Sequence, residues 1–209
     1  MSANLRLVLV RHGETLWTEG NRIHGRLDAP LSAAGVRHAV LTARRLGQDS
    51  FDALYASRRG RCLQTAAILG ESVRLEPQPL DGLEEADYGV LEGRPLQWFE
   101  PDGTGAHLLR PLVALALLLT AERPRHMQRR VAQAVESMRH RHPCGGLLIV
   151  THWGVLSMLM ALLVNGDARV WREYGPWSAC GITELREHKG RWEVTRVNDS
   201  EHLREGEGS

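Results

Sequence analysis

Two short apolar runs, far apart in the chain, each end on a histidine: Val8-Leu9-Val10-Arg11-His12 and Leu148-Ile149-Val150-Thr151-His152. Runs of Leu, Ile and Val without polar alternation suit strands covered on both faces, and so a parallel sheet between helical layers. In open sheets of that kind ligands sit beyond the carboxyl ends of the strands, which is where both imidazoles are expected. A single histidine after a strand is usually a loop residue. Two of them, each with a glycine within two positions (Gly13 and Gly154), ask for a joint explanation.

The rest of the chain alternates strand and helix. Ser32 caps a helical pattern with apolar positions at Val36, Ala39, Val40, Ala43 and Leu46, and Gly47 follows as a stop. A strand is expected at 52–56, a helix from about 60 to 69 that Gly70 ends, and an edge strand at 73–76 closed by Pro77 and Pro79. Residues 80–105, with five glycines and two prolines, read as a long active loop. Leu108–Thr120 and Met127–Arg141 read as helices divided at Arg123-Pro124, and another helix is expected at 155–164. Residues 181–187 and 191–198 alternate around Lys189-Gly190 as a β-hairpin, and the polar stretch from Ser200 reads as frayed. The expected fold is α/β: a three-layer α/β/α sandwich whose mostly parallel central sheet has one antiparallel C-terminal edge. One domain would span 1–199, with 94–130 as a lid or insertion and 200–209 as a flexible tail.

A chain of 209 residues is long enough to bury a core without disulfides. Its formal net charge of +1 makes no electrostatic case for nucleic acid or an anionic membrane, so the arginines are read locally, as ligands for one small anion. Cys62, Cys144 and Cys180 are odd in number and lack CxxC spacing, which argues against a disulfide framework or a structural zinc site. The longest apolar run, Leu112 to Leu119, is far short of the roughly 20 residues that cross a bilayer. Leu5–Val10 contains Arg6 and is no signal-peptide core, so a cytoplasmic protein is expected. Ten histidines raise the possibility of a metallohydrolase, but HExxH is absent, and His140 and His142, two apart, point to different sides of a helix. Neither a metal nor another cofactor is expected.

Residues 8–15 (VLVRHGET) resemble the hallmark of the histidine phosphatase (phosphoglycerate mutase-like) superfamily. The resemblance continues through Trp17, Asn21-Arg22, Gly25, Asp28 and Pro30-Leu31-Ser32 to Gly35. Ser57–Ala66 is similar to the family's second-arginine segment, Leu83–Gly93 to its acid-bearing loop, and Val150–Gly154 to its second-histidine motif. The four blocks come in the family's order, leaving mainly 94–146 and the C-terminal tail unmatched. Position by position, the resemblance implies a phosphate pocket of Arg11, His12, Arg61 and His152, with Glu85 as proton donor. Glu84 competes for that role; the family places its acid two residues after a leucine and four before a glycine, which selects Glu85 from Leu83 and Gly89. As substrate-binding residues the resemblance suggests Thr18, where the family more often has Asn, together with Asn21, His24, Gly25 and Trp153. Trp153 replaces a small residue common after the second histidine, and either narrows the pocket or packs on the sheet.

These residue types suit phosphoryl transfer, in which the protein mainly positions the group and stabilises charge on its oxygens. Arg11 and Arg61 would offer planar forks to phosphate, and a protonated His152 a third donor. The nucleophile must be a neutral imidazole, and a backbone carbonyl holding Nδ1–H would leave Nε2 of His12 free. Protonated Glu85, favoured by repulsion from the phosphate, would protonate the leaving alkoxide and later take a proton from water. The resemblance covers hydrolases and mutases alike. Here the 94–130 stretch is short and apolar, its arginines (Arg94, Arg110, Arg123, Arg125, Arg129 and Arg130) read mostly as a solvated helical face, and Trp153-Gly154 stands where mutases carry Gly-Asn. The expectation is therefore a metal-independent phosphomonoester hydrolase (a histidine acid phosphatase-like phosphomonoesterase) acting through phosphohistidine on a small-molecule ester. A cofactor-dependent phosphoglycerate mutase-type phosphotransferase is the alternative, and a non-catalytic phospho-ligand-binding protein a further one. An apolar 108–119 lid would go with a non-polar or aromatic leaving group, although core packing of that helix explains it too. A homodimer is allowed for.

Overall fold

The computed structural model describes residues 4–95 and 110–206. In chain order the elements are β1 (Leu5–Arg11), α1 (Leu16–Glu19), α2 (Ala33–Leu46), β2 (Ala53–Ala56), α3 (Gly60–Val73), β3 (Pro77–Pro79), α4 (Arg110–Thr120), α5 (Pro124–Arg141), β4 (Gly145–Thr151), α6 (Trp153–Met160), β5 (Ile182–His188) and β6 (Arg191–Asp199). They form one six-stranded sheet in the order β3-β2-β4-β1-β5-β6. The first four of these are parallel neighbours, and β5 and β6 run antiparallel at one edge. The expected α/β/α sandwich with its antiparallel C-terminal edge is the architecture observed.

Strand periodicity divides the core in two. Leu5, Leu7, Leu9, Tyr55, Leu147 and Ile149 pack under Met127, Val131, Ala134 and Met138 of α5 and under α6. Val8, Val10, Leu54, Ala56, Leu148 and Val150 pack against Ala39, Ala43 and Leu46 of α2 and Cys62, Ala66 and Leu69 of α3. The buried stripe of α2 is Gly35, Ala39, Thr42, Ala43 and Leu46; Val36 and Val40, expected to face the core, are exposed.

Several boundaries differ from the sequence reading. Gly70 does not end α3, which runs to Val73 and closes on Arg74 in the left-handed region (φ 58°). Gly70 is there because a Cβ would sit 2.5 Å from the Leu75 carbonyl oxygen. The edge strand is therefore not 73–76 but Pro77–Pro79, since an edge strand tolerates proline where no ladder donor is needed. Pro124 begins α5 instead of only interrupting a helix, its missing N–H falling where helices lack a partner anyway. The helix after β4 starts at Trp153 and passes into a π turn at Ala161–Asn165. Residues 201–206, read as frayed, form a 3-10 helix, and buried His202 shares a 2.8 Å hydrogen bond with the Thr42 hydroxyl of α2. That contact ties the tail to the domain. Parts of the 80–105 loop and of the 94–130 segment, and the start of the helix expected from Leu108, lie outside the described residues. Among the described residues no helix is long and apolar enough to cross a membrane.

Candidate active site

The β1–β4 pairing is in register up to Arg11↔Thr151, and His12 N–H extends it by donating to the Thr151 carbonyl at 2.9 Å. His12 and His152 therefore leave the sheet side by side. By the same alternation that sends Val10 and Val150 toward α3, both imidazoles meet that helix. Their ring centroids lie 5.1 Å apart. Arg11 and Thr151, one residue earlier, turn to the opposite face.

Arg61, on the first turn of α3, lies fully buried between the two rings. Its Nε donates to His12 Nε2 at 3.3 Å and its Nη2 meets His152 Nδ1 at 3.1 Å. The remaining donors go to the Leu27 and Gly25 carbonyls (both 2.8 Å) and to Asp28 (3.0 Å). Asp28 also accepts the N–H groups of Gly60 and Arg61 at the open start of α3, the end of a helix that favours a carboxylate. The 25–28 loop and α3 thus hold the guanidinium in one orientation.

His12 Nδ1 lies 2.8 Å from the Gly13 carbonyl oxygen. A carbonyl only accepts, so the proton is on Nδ1, and Nε2 carries the lone pair. Burial, then the Arg11 and Arg61 charges, hold this histidine well below the usual imidazole range, so the ring is neutral. His152 is depressed as well, by burial first and Arg61 next. Its Nδ1 accepts from Arg61, which leaves Nε2–H for Ser57 Oγ at 2.8 Å. Contrary to the expected third donor, His152 faces Arg61 as an acceptor.

Glu85 is buried at the amino end of α6, where its carboxylate oxygens lie 3.2 Å from Gly154 N–H. Burial outweighs that hydrogen bond, the Ala86 N–H and the two arginines, and the carboxyl is raised above its ordinary range. Glu84 instead accepts from Gly82 N–H through its side chain and does not line the cavity. The loop bearing Glu85 is fastened by the Thr151 hydroxyl on Leu83 O (2.7 Å) and by Arg130 on the Gly82 and Glu84 carbonyls (2.9 and 2.5 Å). Arg130 is also paired through two hydrogen bonds of 2.8 Å with Glu122. It is not the solvated helical charge that its sequence suggests.

These groups converge on a cavity of about 500 Å³. Arg11, His12 and Glu85 line it, as do Thr18, Asn21, His24, Gly25 and Trp153, together with Arg22, Ile23, Tyr88 and Trp171, which the sequence reading passed over. Arg61 and His152 lie beneath His12, outside the lining. The Thr18 hydroxyl closes a capping box with Thr15. His24 Nε2 lies 2.5 Å from Thr15 Oγ1, and burial and the arginines lower its pKa to about 4. Trp153 does not pack on the sheet: the residue is 42% exposed, with the Arg11 guanidinium carbon 5.4 Å from its ring centroid. Arg11 also donates to the Trp177 carbonyl at 2.7 Å, and its buried Nε has no partner among the described residues.

Asp28, Ser57 and Arg130 were not singled out from sequence for these roles. Ser57 follows β2 directly, a strand-end signal that could have marked it. Among the described residues, no three His, Cys, Asp or Glu side chains are grouped as a metal site would require.

Over residues 7–200 the chain matches the sequence profile of the histidine phosphatase superfamily, branch 1. A Yersinia pestis (strain Pestoides F) protein described as a probable phosphoglycerate mutase, GpmB, is 29% identical over 221 residues, covering 95% of each chain. YhfR of Bacillus stearothermophilus is similar in structure, with a TM-score of 0.81 and 28% identity over 95% of this chain and 99% of that one. The mycobacterial glucosyl-3-phosphoglycerate phosphatase Rv2419c superposes with a TM-score of 0.79 and 27% identity, covering 94% and 99%.

Proposed function

Since the chain belongs to the histidine phosphatase superfamily, we propose that it is a phosphomonoester hydrolase working through a phosphohistidine on His12. The observation that carries this reading is the fixed tautomer: Gly13 O holds Nδ1–H, which leaves the lone pair on Nε2, 3.3 Å from the Arg61 guanidinium. In the first step the Nε2 lone pair forms the N–P bond while the ester P–O bond breaks. The electron pair leaves on the alkoxide oxygen, which takes the Glu85 proton. In the second, the Glu85 carboxylate takes a proton from water, the new O–P bond forms and the N–P bond breaks, giving alcohol and inorganic phosphate. Arg11, with an unspent buried Nε, bears the charge on the equatorial oxygens, and Arg61 reaches them only by releasing its hydrogen bond to His12.

Hydrolysis is preferred to mutase chemistry on the character of the cavity. A phosphoglycerate brings a second acidic group, and among the described lining residues Arg22 is the one arginine beyond Arg11. One relative is described as a phosphatase, which agrees; another is described as a probable phosphoglycerate mutase, which keeps phosphotransfer as the second reading.

The test is to trap an acid-labile, base-stable phosphate on the protein and to assay p-nitrophenyl phosphate and 3-phosphoglycerate. Release of inorganic phosphate supports hydrolysis and isomerised product supports the mutase. The His12→Ala variant is expected to lose both label and turnover; retention of either removes His12 as the nucleophile. Turnover that survives EDTA is expected, and its loss would point to a metal.

A further inference from the structure

The cavity is larger, and far more aromatic, than a phosphoryl group requires. At about 500 Å³ it is of the size that encloses a whole small ligand, and such sites set a few converging polar groups against mostly apolar walls. Here the converging groups are Arg11, His12 and Glu85. The same cavity is lined by Ile23, Tyr88, Trp153 and Trp171.

Trp153 is the informative residue. It opens α6 immediately after His152, yet the residue is 42% exposed. The ring is nevertheless held in place. The Arg11 guanidinium lies over it at 5.4 Å, and Gly175 runs so close that an added Cβ would be 3.1 Å from the indole Nε1. Trp171 likewise carries the Arg172 guanidinium over its ring, at 5.2 Å. Two indoles, each with a cation against it, thus border the pocket that holds the candidate nucleophile.

We propose that the group esterified to phosphate is an aryl or arylalkyl unit, bound against Trp153 and Trp171 while Arg11 bridges from the Trp153 ring to the phosphoryl oxygens. This names the substrate class of the hydrolase reading above and rests on it for turnover, though not for binding. A flat rigid ring covers indole surface with few rotors to freeze, whereas an alkyl chain must immobilise several. A short carboxylate-bearing leaving group would leave the same indole surface without an apolar partner.

Calorimetric titration of the whole protein with benzylphosphonate and with propylphosphonate tests binding without turnover. The benzyl compound is expected to bind at least about tenfold more tightly. Trp153→Ala and Trp171→Leu should each bring the ratio close to one, and Trp153→Phe should retain most of it. Equal affinities in the unaltered protein, or a preference that survives both truncations, overturn the proposal. In parallel, kcat/KM is compared for benzyl and propyl phosphate, whose alcohols are of similar acidity, so a difference reports recognition and not ease of departure. Phosphate release from both esters at equal kcat/KM, with equal phosphonate affinities, sinks the aromatic subsite and leaves the hydrolase standing. No release from either, with the benzyl preference in binding intact, does the reverse.

Discussion

Two titratable groups are pushed in opposite senses from their ordinary values, and that separation divides the labour between them. His12 is depressed by burial and two guanidiniums, so it keeps its lone pair well below the pH at which free imidazole is protonated. Glu85 is raised by burial, so it keeps its proton above the ordinary carboxylate range. The acid limb of kcat/KM due to His12 should therefore lie well below pH 6.5, and the alkaline limb should follow loss of the Glu85 proton. Glu85→Gln is expected to cost about 10²- to 10⁴-fold in kcat/KM on alkyl phosphates. The loss should be much smaller on p-nitrophenyl phosphate, whose phenolate departs unaided, and the alkaline limb should disappear. A Gln variant with an unchanged profile would remove Glu85 as the acid. Arg11, His12 and Arg61 were readable from motifs because each stands at a strand or helix end, whereas Ile23 and Trp171, which line the cavity, carry no such signal. What holds the motif residues was not readable. Asp28 and Ser57 act through contacts with Arg61 and His152 that are 33 and 95 residues away in sequence, and no local pattern encodes such a distance.

Among the elements, the segment joining α4 to α5 helps fasten the acid-bearing loop. Glu122 N–H donates to the Asp87 carbonyl at 2.8 Å while its carboxylate grips Arg130, which in turn holds Gly82 O and Glu84 O. The peptide units flanking Glu85 are thus fixed from α5, on the face of the sheet that α6 also covers. Arg130→Met should leave those carbonyls and the largely buried Glu122 carboxylate short of partners, at about 1–3 kcal/mol by urea unfolding. Because the loop would then place its acid less accurately, kcat/KM should fall more on alkyl phosphates than on p-nitrophenyl phosphate. An equal loss on both would mean that Arg130 serves stability alone. The element pattern was legible where hydrophobic periodicity was strong, as in β1, β4 and the β5–β6 hairpin. It failed at β3, where Pro77 and Pro79 look like terminators but sit on the outermost strand, and at Gly70, where close approach of the chain imitates a helix stop.

At the scale of the whole molecule, the buried histidines make stability depend on pH. His12, His24, His152 and His202 are all lowered in the fold. As pH falls through the unfolded imidazole value of about 6.5, the unfolded chain takes up protons that the native protein refuses, so stability declines. Raised Glu85 opposes this, its contribution being complete below the ordinary carboxylate value and lost as pH rises, but it is one group against four. The urea midpoint should therefore drop between pH 7 and pH 5, and a His12→Gln, His152→Gln double variant should flatten the dependence. A midpoint unchanged over that range would contradict the neutral rings on which the phosphoryl chemistry depends.

The strand order carries a consequence for how the chain is made. Of the described strands β1 leaves the ribosome first, yet its two neighbours in the sheet are β4 and β5, at 145–151 and 182–188. A nascent LRLVLV segment must wait, both edges bare, until those two strands have emerged, and pairings so distant in sequence form slowly. A fragment of residues 1–141 should accordingly self-associate through that segment, as measured by light scattering, whereas the 209-residue chain should not.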